Sequence, residues 1–254
     1  MDLTSNPTNE SSDELFARSV VRWDGIESEM QNIPWFAEYY LGLQKPKHHR
    51  EAYDFMMKYD LALWKCPVGH GKSTCIGFVT PIWEICMDSD VRMILAAKSA
   101  DLVYDEMRKI RHELENNQNL IGTFGDFKGV GPWSDSKLQV RRFKNWKEPT
   151  ITAASLGSAI EGIRVNLALL DDPIDRESMI YGLERRRSKE WYAHTLRERM
   201  EPGGRIRAFG TPWHPDDLYA YLSGLHGWHT LIHRSLTEVR GKWTALWPDR
   251  FTVE

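Results

Sequence analysis

Cysteine is scarce: Cys66, Cys75 and Cys86 are the only three, an odd number with no CxxC spacing. That argues against a disulfide framework and predicts reduced, mostly buried thiols in a cytoplasmic protein. Long apolar runs are missing as well. The longest, Cys75 to Met87, is interrupted by Thr80, Pro81 and Glu84 and is too short to cross a bilayer, so no membrane partner is expected. Met1 to Ser12 is polar and acidic, without the apolar stretch of a secretory signal. Neither sign of charge dominates: 33 Lys and Arg against 36 Asp and Glu give a formal charge of -3. A surface dedicated to coating nucleic acid is therefore disfavoured, while a local basic strip that grips phosphates stays open. There is no internal repeat and no low-complexity tract to suggest a solenoid or a tail.

What is present is ordinary globular composition over 254 residues, enough for one large domain or two small ones. Residues 1–14, rich in Ser, Asn, Asp and Glu, read as a flexible leader. Residues 15–59 read as a helical segment: two short helices within Leu15 to Leu43, separated by Pro34, an entry loop Pro46-Lys47-His48-His49-Arg50, and a helix to Tyr59. From residue 60 to 245 strands and helices alternate. Strands are expected at Leu61–Cys66, Val91–Ala97, Leu138–Phe143, Thr150–Ala154, Val165–Leu170, Arg205–Phe209 and Trp228–Ile232. Helices are expected at Ala100–Asn116, behind a Ser99 cap, and as one long segment from Glu177 to Met200. This alternation predicts an α/β fold with a mostly parallel sheet covered on both faces.

The first strand runs straight into Pro67-Val68-Gly69-His70-Gly71-Lys72-Ser73-Thr74. Phosphate oxygens need several donors converging from one side, and a tight turn at a helix start supplies them as backbone N–H groups. Glycine at 69 and 71 lets the backbone approach closely. Lys72 is placed to reach the β- and γ-phosphates of ATP, and the Ser73 hydroxyl to hold Mg²⁺. The pattern GxxxxGK[ST] wants a first glycine where this chain has Cys66.

A second feature is Leu169-Leu170-Asp171-Asp172-Pro173, two acids where an apolar strand stops. In open α/β sheets ligands bind beyond the carboxyl ends of the strands, so these acids and the glycine turn should share one edge. Asp171 then suits the Mg²⁺ and its hydration shell, and Asp172 the orientation or deprotonation of the attacking water. A plainer reading makes the pair a turn or helix cap.

A third motif, Phe209-Gly210-Thr211-Pro212-Trp213-His214-Pro215-Asp216-Asp217-Leu218, follows a strand as a coupling or sensor element does, with Thr211 as its reactive-site residue. Its plain reading is a turn before a helix capped near Pro215 and Asp216. With the Pro46 to Arg50 segment, Gly157 to Arg164 and Glu201 to Arg205, the three motifs resemble the ATPase domain of phage terminase large subunits over nearly the whole chain. The resemblance implies a RecA/ASCE-like P-loop NTPase working as a homo-oligomeric ring, with a monomer conceivable in isolation. It further implies Mg²⁺-dependent ATP hydrolysis that drives double-stranded DNA into a procapsid. Implied partners are a terminase small subunit and a portal protein, and the implied location is the cytoplasm of an infected bacterial host, not the mature virion. Residues 246–254 resemble the start of the linker to a nuclease domain, which is not seen in this sequence. Two departures stand out: Val68 where the family often has Arg, and Asp172 where many P-loop motors carry Glu.

Phosphoryl transfer usually needs an arginine, often from a neighbouring subunit in ring motors. Arg164 is the first candidate, ahead of Arg197 and Arg199. Arg185-Arg186-Arg187 with Lys189, and Arg141, Arg142, Lys144 and Lys147, are basic clusters that either touch DNA phosphates or form solvated faces. His226, His229 and His233 lack the spacing of a metal site. The nearest alternatives are a P-loop helicase or remodelling ATPase, and a non-hydrolysing nucleotide-dependent assembly module.

Overall fold

The computed structural model describes residues 30–44 and 46–253. The expected leader and the first of the two expected amino-terminal helices lie outside these residues. Helix α1 (Ile33–Leu41) opens on Asn32, whose side chain accepts from Trp35 N–H at 3.0 Å, and Pro34 sits in its first turn. Pro34 starts this helix and does not break one, because its missing N–H falls where no intrahelical partner exists. Helix α2 (Lys47–Lys58) absorbs most of the expected entry loop, with Pro46 just before its first residue.

Strand β1 (Leu61–Lys65) leads through the glycine turn into a π-helical segment, Ser73–Val79, continued by α3 (Thr80–Met87). Pro81 has no N–H to give the carbonyl four residues back, and the Thr80 hydroxyl donates to Cys75 O at 3.1 Å across the widened turn. Then come β2 (Met93–Ala97), α4 (Ala100–Asn116), α5 (Gln118–Phe124), β3 (Lys128–Trp133), β4 (Lys137–Val140), β5 (Ile151–Ser155) and β6 (Val165–Asp171). The expected helix from Glu177 to Met200 is not continuous. It divides into α6 (Arg176–Ile180), α7 (Gly182–Glu190), a π-helical turn Trp191–Leu196 and a 3-10 turn Arg197–Arg199. Gly182 interrupts the periodicity, and Met200 already belongs to β7 (Met200–Gly210). Helix α8 (Leu218–Gly224), β8 (Trp228–Ile232) and a separate antiparallel pair, β9 (Leu236–Val239) with β10 (Lys242–Ala245), complete the chain.

The eight-stranded sheet has the order β3-β4-β5-β2-β6-β7-β1-β8. From β5 to β8 every neighbour is parallel, and β3 and β4 add an antiparallel edge. Alternate residues of the buried strands serve opposite faces. Leu167 and Leu169 join Trp64 and Ile76 under α1 to α5, whereas Ala168 and Leu170 join Trp191, Tyr219 and Leu222 on the other side. This is the α/β fold of a P-loop NTPase. Strand β7 lies between β1 and β6, so residues leaving β7 emerge between the glycine turn and the paired acids.

Candidate nucleotide site

Cys66, the residue after β1, is still tied to β7: its N–H donates to Gly210 O at 3.1 Å. Its backbone is not left-handed, so no glycine is required there, and its side chain is buried. Burial pushes the Cys66 thiol up to about 12, which leaves it inert. The left-handed positions come later, at Gly69 (φ 80°) and Gly71 (φ 76°), where an L side chain is strained. Val68 projects into solvent, 65% exposed, and its side chain offers no donor.

Lys72 is buried. Its ammonium donates to Pro67 O at 3.0 Å and to Thr211 Oγ1 at 3.1 Å, and lies 3.6 Å from Asp172 Oδ2. Ser73 Oγ donates to Asp171 Oδ1 at 2.7 Å. Thr211 closes the arrangement: its N–H donates to Asp172 Oδ1 at 3.0 Å and its hydroxyl to Cys66 O at 3.1 Å. The fold thus brings together the turn Pro67–Thr74, Asp171, Asp172 and Thr211, from three different strand ends.

Two glycines make room for the acids. A Cβ on Gly77, in the π-helical segment, would stand 2.6 Å from Asp171 Oδ2. A Cβ on Gly210 would stand 2.5 Å from Asp172 Oδ1 and collide with the Tyr219 hydroxyl. Asp172 itself has a left-handed backbone (φ 40°), a conformation that Asp tolerates better than most residues. Burial raises the Asp171 carboxyl to about 7, against the lowering effect of the Ser73 hydrogen bond. Burial also raises Asp172, opposed first by the Lys72 ammonium. A carboxylate so costly to ionise alone is suited to a cation. Ser73 and Asp171 provide hard oxygen donors side by side, a pair that would suit Mg²⁺.

The rest of the sequence-derived set is not at this site. Arg164 precedes β6, at the amino edge of the sheet, and its guanidinium donates to Glu198 O at 2.5 Å. The seven residues of β6 then separate it from Asp171 by about 20 Å. Arg197 and Arg199 precede β7 and stand at that same far edge. All four residues of the basic run on α7 are already paired, Arg186 with Glu190, Arg187 with Glu184, and Arg185 and Lys189 with Asp216. His233 accepts from Trp64 Nε1 at 2.9 Å and bonds Glu51 at 2.8 Å, and His229 stacks on Tyr59. The helix-cap reading of the third motif holds for Asp217, not Asp216: buried Asp217 accepts from the N–H groups of Trp213, His214 and Ala220.

Several site residues carry no signal in the sequence. Tyr219, fully buried, directs its hydroxyl at Asp172 Oδ1 and Phe209 O. Gly77 belongs to no motif. His48 and His49 stand out in the sequence only as part of an entry segment, yet the Nε2 atoms of both lie at 3.0 and 2.8 Å from His70 O. Beside the turn, a cavity of about 330 Å³ is lined by Gln44, Tyr53, Gly71, Thr74, Trp247 and Arg250.

No family model matches the chain, and no curated protein matches it. Among solved structures it is similar to a Saccharomyces cerevisiae Dbp5 variant bound to a Gle1 variant and IP6, at 14% identity and a TM-score of 0.49 over 90% of this chain. It is also similar to the same protein bound to Nup159, a Gle1 variant, IP6 and ADP, at 13% identity and a TM-score of 0.48 over 82% of this chain. The chain spans about half of each, 54% and 52% of their length. At these values the likeness adds nothing to what the strand order and the glycine turn already show, a P-loop NTPase-like α/β fold.

Proposed function

We propose that this chain is a Mg²⁺-dependent ATPase, the engine of a terminase-like motor that moves double-stranded DNA. The observation that carries the ATPase reading is the convergence of Lys72, Ser73, Asp171, Asp172 and Thr211 around one glycine turn. In this reading the amides of Gly69 to Thr74 and the Lys72 ammonium hold the β- and γ-phosphates. Ser73 and Asp171 hold Mg²⁺, which neutralises phosphate charge when bound. Asp172 orients the attacking water and takes its proton, and its link to Thr211 N–H ties that acid to the end of β7. The cavity edged by Tyr53 and Trp247 is a place for the base.

The motor reading rests on the Thr211 to Leu218 motif, whose first residue bonds Lys72 and Asp172 and whose Asp217 caps α8. The three candidate arginines stand far from their own chain's glycine turn, so in this reading the cation at the γ-phosphate would come from a neighbouring subunit in a ring. A small DNA-recognition subunit and a portal are the partners such a motor would serve. A helicase or remodelling ATPase shares the phosphate chemistry and is the main rival.

Steady-state ATPase, measured across protein concentration with double-stranded DNA, single-stranded DNA or RNA added, separates these readings. The motor reading predicts turnover that rises steeply with concentration and is stimulated by double-stranded DNA. Stimulation by single strands or RNA alone favours the rival. ATP binding without turnover under every condition favours an assembly module.

A further inference from the structure

The His70 carbonyl lies at the centre of a small, closed group of rings. A carbonyl oxygen can only accept, so the Nε2 atoms of His48 (3.0 Å) and His49 (2.8 Å) must both carry the hydrogen and donate to it. Both imidazoles are buried, at 1% and 6% exposure. Trp247 packs against both, with ring centroids 5.3 and 5.5 Å away, and Phe251 stacks on His70 at 4.6 Å. His49 also fills the space beside Gly71, where a Cβ would come within 2.6 Å of its ring.

A trans peptide points its N–H away from its C=O. Fixing the His70 carbonyl against two donors on the α2 side therefore fixes the Gly71 N–H on the opposite side of the loop. The carbonyl has two acceptor lone pairs, and the two histidines occupy both. Burial holds the His48 ring neutral, lowered to about 4, and lowers His49 as well. His48 thus directs the peptide by hydrogen bonding without adding positive charge.

We infer that His48 and His49 are positioning residues for phosphate binding, holding the His70–Gly71 peptide so that the glycine turn is formed before nucleotide arrives. This inference rests on the P-loop reading of the turn. It also explains why the Pro46 to Arg50 segment packs where it does, since α2 becomes the back wall of the anion site. Without the two donors the loop must order its peptide while binding, and affinity falls by that ordering cost.

The test is equilibrium binding of Mg·ADP and Mg·ATP to the full chain by calorimetry, with thermal unfolding of the nucleotide-free protein alongside. His48→Leu and His49→Leu remove the donor and keep bulk. Each is expected to weaken both nucleotides by about tenfold, the size of one net hydrogen bond. His48→Gln and His49→Gln, which carry an amide N–H at similar reach, are expected to restore affinity to within about threefold of wild type. Should a leucine variant fail to fold, His49→Asn, polar but too short to reach the carbonyl, takes its place with the same expected loss. A merely structural role lowers the unfolding temperature and leaves affinity unchanged, and that result overturns the inference. Equal weakening by the Leu and Gln variants overturns it too. A wild-type chain that binds neither nucleotide overturns the P-loop reading, and this inference with it.

Discussion

At the scale of single residues the site is a set of close approaches that tolerate little change. Gly210 leaves the end of β7 with the Asp172 carboxylate and the Tyr219 hydroxyl directly against its backbone. Gly210→Ala must displace both, so it should lower the unfolding temperature and cut ATP turnover by about tenfold or more, the loss expected when a group facing the reacting phosphate shifts by a fraction of an ångström. Thermal unfolding and steady-state kinetics on one preparation check both. Gly77→Ala pushes on Asp171 Oδ2 and is expected to raise the Mg²⁺ concentration needed for half-maximal activity, read from a Mg²⁺ titration. Gly77 is not legible as functional in the sequence, and Gly210 only as a member of the third motif, because what makes each necessary is a side chain from a distant strand or helix. Lys72 and Ser73 stand out in the sequence because strand, glycine turn and helix follow one another directly, and Asp171 because it ends a continuous apolar run. Cys66 looks like a defect in the sequence pattern. The backbone resolves it, since that position is not left-handed and is bonded to β7, where glycine confers no advantage.

His48 gives a residue-scale prediction in pH. Its folded pKa, lowered to about 4 by burial, lies below its unfolded value near 6.5. A depressed pKa means that the stabilising contribution is present above the unfolded pKa and is lost as pH falls through the folded one. Stability should therefore decline between about pH 6.5 and pH 4, by at most about 3 kcal/mol from this group. Chemical denaturation at a series of pH values checks this. His48→Gln should flatten that part of the curve, and an unchanged slope would contradict the assignment.

At the scale of elements, a buried ionic cluster holds β7 to the helix that follows the glycine turn. Glu84 of α3 accepts from Arg205 at 2.9 and 2.8 Å and from Arg207 at 3.0 Å, with Arg207 only 1% exposed. Removing that carboxylate leaves buried guanidinium uncompensated, a cost of about 3–5 kcal/mol. Glu84→Gln should lower unfolding free energy by that order in a denaturant titration. Replacing Glu84 and Arg207 together with apolar residues should recover part of the loss. Sequence periodicity locates β1, β2, β6, β8 and α4 well, since each is a strong local pattern. It fails on the segment from Glu177 to Met200, where helical composition hides the break at Gly182 and the early start of β7. It also misses β3, where Gly129, Gly131 and Pro132 read as turn residues, and β9 and β10, which are only four residues each.

At the scale of the whole molecule, the parallel order β6-β7-β1 places three strand ends on one edge and their starting points on the other. The edge that carries Lys72, Asp171, Asp172 and Thr211 is the one expected to bind ATP. Arg164, Arg197 and Arg199 crowd the opposite edge, a separation that linear sequence does not reveal because it depends on strand direction and length. Among the described residues no helix is long and apolar enough to cross a membrane.

The central claim is that this edge hydrolyses ATP, and single-turnover hydrolysis in excess enzyme tests it most directly. The account predicts Mg²⁺-dependent cleavage of the γ-phosphate by the wild-type chain, abolished by chelation. It also predicts losses of at least about a hundredfold in Lys72→Ala and in Asp172→Ala, the size expected when one charged group of such a site is removed. Hydrolysis at the wild-type rate by Lys72→Ala, or bound ATP that is never cleaved, would contradict it.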